Sequence, residues 1–250
     1  MFPLRDDNPT LRTSVITYSI IVINVLIWAI VQGAGTEQAL IHSICNLGLI
    51  PGELLGKLPP GTHVPLSPTA ECVVIGKTDY STLITHMFLH GSWFHLISNM
   101  WFLAVFGDNV EDSMGRLRFI LFYLLCGVAA AGAQILFNNS SAVPMVGASG
   151  AIGGVMGAYV MLYPRSPVHL LIFLGFFIDR IIVPAYFILG YWFILQLLSA
   201  LPTLGQDSAG VAFWAHVGGF IAGVILVLLF QDRSLVHSHK KLVFSKWGRL

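Results

Sequence analysis

Residues 145–163 read MVGASGAIGGVMGAYVMLY. The run is almost wholly apolar or small, and it approaches the ~20 residues that a membrane-crossing helix needs. One hydroxyl stands near its start, Ser149, between Ala148 and Gly150. Two readings compete for it. Small residues let membrane helices pack closely, and Gly/Ala/Ser spacing arises in such helices for that reason alone. A serine at a helix start, however, lies beside backbone N–H groups that have no intrahelical partner, at the positive end of the helix dipole, where an oxyanion is favoured. The rest of the chain decides between them.

The composition supports a membrane setting. Of 250 residues, 56% are hydrophobic and 10% are charged, with a mean hydropathy of +0.78. Soluble domains carry about 25% charged residues. The net charge of +1 gives no footprint for a nucleic-acid partner. Cys45, Cys72 and Cys126 are too few for a disulfide framework, and no CxxC or Cys–His spacing suggests zinc. The polar start MFPLRDDNPTLRT leads into a long apolar run without a small-residue cleavage site, as in a retained first span rather than a removed signal peptide.

Four more runs match the first in kind: Ser14–Gln32, Phe119–Phe137, Ile181–Leu201 and Val211–Phe230. A shorter run, Phe94–Gly107, makes a sixth span when buried among the others, and Pro167–Ile178 reads as an interfacial or re-entrant segment. With six spans both ends share a side. That side receives Arg5, Arg12, Arg116, Arg118, Arg165 and Arg180, then Arg233, Lys240, Lys241, Lys246 and Arg249; the other side holds only Lys57 and Lys77. The positive-inside rule therefore puts both termini in the cytoplasm. The expected organisation is an all-α polytopic bundle of six transmembrane helices over residues 14–230, a cytoplasmic segment at 1–13, and a basic tail at 231–250 that suits an anionic leaflet or solvent equally well. The first external loop, roughly Gly33–Trp93, is too long for a mere connector and is expected to be structured. Cys45 and Cys72 both lie in it, and spacing alone leaves open whether they form a disulfide.

Polar groups within spans are costly and mark function or pairing. In HMFLHGSWFHLISNM, His95 and Asn99 are one helical turn apart and point together into the bundle, whereas His86 and His90 precede the span, near the external surface. A metal site at these histidines lacks an acidic or cysteine partner, since Asp108, Glu111 and Asp112 fall at the opposite membrane face. In FWAHVGGFIAGV, His216 lies near the external end of the last span, and Gly219 and Gly223 follow with the GxxxG spacing of close helix approach. Gln134 and Gln196 have no mate at a revealing spacing and read as interhelical packing or hydrogen bonds. Ser149, His216 and the His95/Asn99 pair thus converge on one face of the membrane. They supply a nucleophile, a base and oxyanion donors without a carboxylate at matching depth, which is a dyad rather than a triad.

This constellation closely resembles the rhomboid family of intramembrane serine proteases, over nearly the whole chain. The family spacing H-x3-H-x4-H-x3-N is met by His86, His90, His95 and Asn99; its G-x-S-G by Gly147, Ser149 and Gly150; its last His with GxxxG by His216, Gly219 and Gly223. The resemblance implies a protease that cuts transmembrane protein substrates near the external side of the bilayer, with no cofactor. Ser149 would be the nucleophile and His216 the base. His95, Asn99 and the Ser149 N–H would form the oxyanion hole, and His86 and His90 would be structural. Substrate would enter near Ile181–Leu201 and the following PTLGQDSAG. The chain departs from many members in two places. Ser81 and Thr82 stand where a Trp-Arg pair is common, which touches the anchoring of the first loop. Gly153 stands where some members stack a Tyr on the catalytic imidazole, which leaves His216 either held less firmly or held by another ring such as Trp214 or Phe220. The rival readings are a rhomboid-like pseudoenzyme that binds transmembrane clients, against which both Ser149 and His216 are present, and a small transporter or channel, against which the spans lack midplane Asp or Glu. A bacterial inner or plasma membrane is the expected location, the chain being short and without a targeting extension.

Overall fold

The computed structural model describes residues 2–67, 69–76, 78–174, 177–204 and 211–247. Lys77, Arg249, the Lys246 side chain and residues 205–210 of the loop after the expected fifth span lie outside the described residues. Strand β1 (Phe2–Asp6) precedes helix α1 (Val15–Ile30). The long first loop is built from α2 (Glu37–Leu47), α3 (Pro51–Leu54), the antiparallel hairpin β2 (His63–Ser67) and β3 (Ala70–Val73), and α4 (Thr82–Thr85). Helices α5 (Trp93–Met114) and α6 (Arg116–Phe137) meet at Gly115. Then come α7 (Ser149–Leu162), a second hairpin of β4 (Pro167–Leu174) and β5 (Phe177–Pro184), and helices α8 (Ala185–Ala200), α9 (Phe213–Phe230) and α10 (Arg233–Trp247).

Among the described residues, three helices are long and apolar enough to cross a membrane: α6, α8 with the turn that follows it, and α9; α1 and α7 are apolar but shorter. Their outer faces are oily. On α1, Val22, Leu26 and Ile30 are exposed while Thr17, Asn24 and Trp28 are buried, and on α9 Ile225, Leu228 and Leu229 are exposed. An apolar exterior over a partly polar interior is the pattern of helices solvated by lipid, where every backbone group must also be satisfied within its own helix. The protein is therefore a helical membrane protein. Helix α7 packs against α5, α6, α8 and α9 and occupies the middle of the bundle.

Several expected boundaries move. The fourth helix begins at Ser149, not Met145, because Met145 is held extended by a reciprocal backbone pair with Leu49 (3.0 and 2.7 Å). The fifth helix begins at Ala185, not Ile181. Pro184 has an extended ψ of 147° and disfavours helix in the residue before it, so 181–184 belong to β5. The segment expected to be interfacial or re-entrant is the β4–β5 hairpin. It joins β1 in an antiparallel sheet of order β1-β4-β5. The all-α expectation is corrected accordingly: a helical bundle carries two small sheets.

The end of the molecule opposite the first loop is tied by polar contacts. Glu111 on α5 accepts from Ile16 N (3.1 Å), Thr17 N (2.7 Å) and Thr17 Oγ1 (2.8 Å), and so serves the orphan N–H groups at the start of α1. Arg12 donates to Asp112 Oδ1 (3.2 Å), and Arg118 lies 3.6 Å from Asp232. The Tyr159 hydroxyl on α7 donates to Asp6 on β1. Burial raises the Asp6 carboxyl to about 6, against the opposing pull of that hydroxyl. Arg5, Arg12, Arg118 and the start of the basic tail therefore share one end, as the charge asymmetry requires.

The first loop is structured as expected. Cys45 on α2 and Cys72 on β3 form a disulfide, with a Cα–Cα separation of 5.4 Å. Ahead of His86, Asp79 accepts from Ser81 N and Oγ (2.9 and 2.6 Å) and from Thr82 Oγ1 at its carbonyl (2.7 Å), while Thr85 Oγ1 donates to Leu47 O (2.7 Å). These hydroxyls and the disulfide anchor the loop where many rhomboid proteins carry Trp-Arg.

Candidate active site

The start of α5 sets the first pair of side chains. Ser92 caps the helix by accepting from His95 N (3.1 Å), which fixes His95 in the first turn and Asn99 one turn on. His95 Nδ1 accepts from Gly91 N (3.3 Å), so its ring hydrogen is on Nε2. That nitrogen faces the GASG segment. Gly147 has φ +131°, a backbone that L side chains rarely adopt, and a Cβ there would sit 2.8 Å from His95 Nε2. Gly147 N also donates to His86 O (2.9 Å), joining the segment to the histidine-rich loop. Asn99 is buried, and its Nδ2 has no hydrogen-bond partner.

Ser149 is the first residue of α7, ahead of the first intrahelical bond, Ile152 N to Ala148 O (3.0 Å). Its Oγ lies 2.8 Å from His216 Nε2, on the first turn of α9. The contact depends on glycine. A Cβ at Gly219 would overlap the Gly150 carbonyl, and one at Gly223 would overlap the Gly154 carbonyl, so α7 and α9 touch backbone to backbone. A cavity of about 490 Å³ is lined by Ser149, His216, His95, Asn99, Gly147 and Gly150, among others. A larger cavity, about 770 Å³, lies under the first loop and touches none of these residues. A hydroxyl within hydrogen-bonding distance of an imidazole, beside unpartnered N–H donors, is an arrangement that can carry out acyl transfer.

His86 and His90, which precede α5, are both buried, 2% and 0% exposed. Gln32 grips the His90 backbone from both sides, accepting from its N–H (2.8 Å) and donating to its carbonyl (2.9 Å), and the His90 ring packs edge-on against His95 at 5.1 Å. Among the described residues no three His, Cys, Asp or Glu side chains converge as metal ligands. Burial pushes the His86 imidazole down to about 4 and, with His95 beside it, His90 down to about 3. Both rings stay neutral in the folded protein while the unfolded chain binds protons below 6.5. Stability is therefore complete above that value and is lost as pH falls toward 4, by on the order of 3 kcal/mol for His86. The melting temperature in detergent is expected to drop between pH 6.5 and 4, with a shallower slope for His86→Gln; parallel slopes would remove His86 as the cause.

Two contacts to His216 were not legible as such. Its Nδ1 lies 2.8 Å from Gln196 Oε1 on α8, and the Trp192 indole, one turn earlier, lies beside the ring, tilted by 37° with centroids 5.8 Å apart. The rings nearest His216 are Trp192 and, edge-on at 6.4 Å, Phe213; a Cβ at Gly153 would lie 3.7 Å from the tip of Trp192. Trp214 stacks on Phe137 instead, and Phe220 packs against Phe193. The available signal was depth: Gln196 lies toward the C-terminal end of α8 and His216 on the first turn of α9, the two helix ends that follow one another in the chain, whereas Trp192 lies at the middle of α8. Gln134, by contrast, leaves its Oε1 buried without a partner.

Fold and site together define a membrane-embedded helical protein with a serine–histidine contact at a helix start. The rhomboid domain family model matches residues 77–233, which include every site residue named above from His86 to Gly223. The chain belongs to the rhomboid family. It is 35% identical over 165 residues to the chloroplastic rhomboid-like protein 11 of Arabidopsis thaliana, covering 63% of this chain and 56% of that one. It is 32% identical over 154 residues to the mitochondrial rhomboid-like protein 6 of the same plant (61% and 45%). It is 34% identical over 152 residues to the rhomboid protease GluP of Bacillus subtilis (60% and 26%). The chain thus spans about half the length of the first two and a quarter of the third. The names place two of these relatives in a chloroplast and a mitochondrion, so the expectation of a bacterial plasma membrane is not supported by them.

Proposed function

We propose that this chain is an intramembrane serine protease that hydrolyses peptide bonds in or near the transmembrane segments of membrane-protein substrates. The observation that carries the reading is the 2.8 Å contact of Ser149 Oγ with His216 Nε2 beside the unpartnered Asn99 amide in one cavity. Ser149 Oγ attacks the scissile carbonyl as its proton passes to His216 Nε2. The carbonyl oxygen becomes an oxyanion facing His95 Nε2–H, Asn99 Nδ2 and the Ser149 N–H. The intermediate collapses, the C–N bond breaks, and His216 returns the proton to the leaving amine. Water then attacks the acyl-enzyme with His216 again as base, and the acid product leaves. No cofactor is needed in this scheme.

Helices α1 and α5–α9 are the six spans of this reading, with both termini cytoplasmic and the first loop external. Helix α7, at 14 residues, is only about 21 Å long, against roughly 30 Å of hydrocarbon. Its Ser149 end can therefore lie below the external surface, reached by water through the cavity.

The test is a fluorophosphonate probe on the purified protein in detergent, with the adduct mapped by mass spectrometry, together with cleavage of single-span reporters in proteoliposomes. An adduct on Ser149 and reporter cleavage are expected. A folded protein that forms no adduct would instead be a rhomboid-like pseudoenzyme binding transmembrane clients. Asn99→Ala is expected to slow cleavage about 10²- to 10³-fold, the size of losing one oxyanion donor. Undiminished turnover would remove Asn99 from that role.

A further inference from the structure

We infer that Gln196 is a positioning residue for His216, a neutral third member that fixes the imidazole in the tautomer the Ser149 reaction needs. The inference rests on the protease reading above. Gln196 is the sole amide- or charge-bearing side chain in α8. A polar side chain on a membrane helix is costly unless it finds a partner, and its Oε1 lies 2.8 Å from His216 Nδ1.

The chemistry follows from which atoms can donate. A serine hydroxyl that is to lose its proton must donate to Nε2, and that nitrogen must then be bare. The neutral ring keeps its hydrogen on Nδ1. An amide oxygen only accepts, so Gln196 Oε1 selects the Nδ1–H form and aims Nε2 at Ser149, 2.8 Å away. This is the orienting work that a buried aspartate does in a Ser-His-Asp triad, without a charge to bury in the membrane. Trp192, one turn earlier on the same helix, lies beside the ring, with centroids 5.8 Å apart and the planes tilted by 37°. Orientation of the base thus comes from one helix, α8, which buries a smaller share of its residues than α6 or α9.

The test compares wild type with Gln196→Met, which keeps the length and loses the acceptor, and Gln196→Glu, which keeps the acceptor. Gln196→Met is expected to lower kcat for reporter cleavage about 10- to 100-fold with KM unchanged, less than the 10²- to 10⁴-fold a general base supplies. Gln196→Glu is expected to restore most of that loss. Nitrogen-15 NMR of histidine-labelled protein, with His216→Ala for assignment, reads the tautomer directly. Wild type should show Nδ1 protonated and Nε2 bare, and Gln196→Met should lose that preference. Wild-type kcat in a folded Gln196→Met, or a wild-type ring protonated on Nε2, overturns the inference. If Gln196→Met does not fold, the wild-type spectrum and the Glu variant still decide. A wild type that forms no Ser149 adduct defeats the protease reading instead, and the spectrum still reports whether Gln196 holds the ring.

Discussion

His216→Ala is expected to suppress the reaction of Ser149 with a fluorophosphonate by about 10³-fold or more, while the helical fold survives. The reason is the chemistry of an unassisted hydroxyl, which is a weak nucleophile at neutral pH and gains its reactivity from a base within hydrogen-bond reach. Among the described residues the side chain bonded to Ser149 Oγ is His216, so removing the ring removes the proton acceptor. The structural cost is modest. The ring already borders the 490 Å³ cavity, and its loss enlarges an open space rather than opening a new one in packed core. Ser149→Ala deletes a single oxygen and is expected to abolish the adduct outright. Circular dichroism and melting of both variants should match wild type. Labelling of His216→Ala at the wild-type rate would mean that another group takes the proton and that the 2.8 Å contact is only packing.

Gly219→Val is the second large effect. A Cβ at Gly219 would run into the Gly150 carbonyl, and a Cβ at Gly157 into the Phe220 carbonyl, so both helices meet through backbone atoms that cannot rotate aside. A branched side chain must push α7 and α9 apart. Ser149 is next to Gly150, and His216 lies one turn before Gly219 and Phe220, so the separation acts directly on the Ser149–His216 contact. A displacement near 1 Å can cost about 10²-fold in rate, and overpacking costs about 1–3 kcal/mol or more in stability. Lower labelling by at least that factor and a lower melting temperature are expected. Gly132→Ala on α6, where an added Cβ meets nothing within 4 Å, is the control and should behave as wild type. Equal behaviour of the two variants would show that the helix contact is looser than its geometry.

The sequence made the Ser149–His216 contact legible for a physical reason. Ser149, His95, Asn99 and His216 are polar groups in apolar runs, and their distances from the ends of those runs place them at one depth. Depth along a helix can be counted in residues; rotation about its axis and the choice of neighbour cannot. Gln196 had the right depth, but nothing in its own segment pointed across to His216. Trp192 escaped for the same reason, since its place beside the His216 ring follows from how α8 meets a different helix. The β4–β5 hairpin was hidden by composition. PVHLLIFL and IIVP are near-continuous apolar runs, and such runs do not separate strand from buried helix by period. Only Pro167 and Pro184, one at each end of the hairpin, mark the limits of the extended chain.

Strand β1 also carries a consequence for how the protein is made. Its residues, Phe2–Asp6, are synthesised long before their ladder partner, β4 at Pro167–Leu174. Their side-chain tie, Asp6 to Tyr159, is also more than 150 residues downstream. Strand β1 therefore waits, without its ladder, until α1, α5, α6 and α7 and the hairpin have been synthesised. The sheet can close once β4 and β5 have been made, and its closure ties β1 to the middle of the chain while α8, α9 and α10 are still to follow.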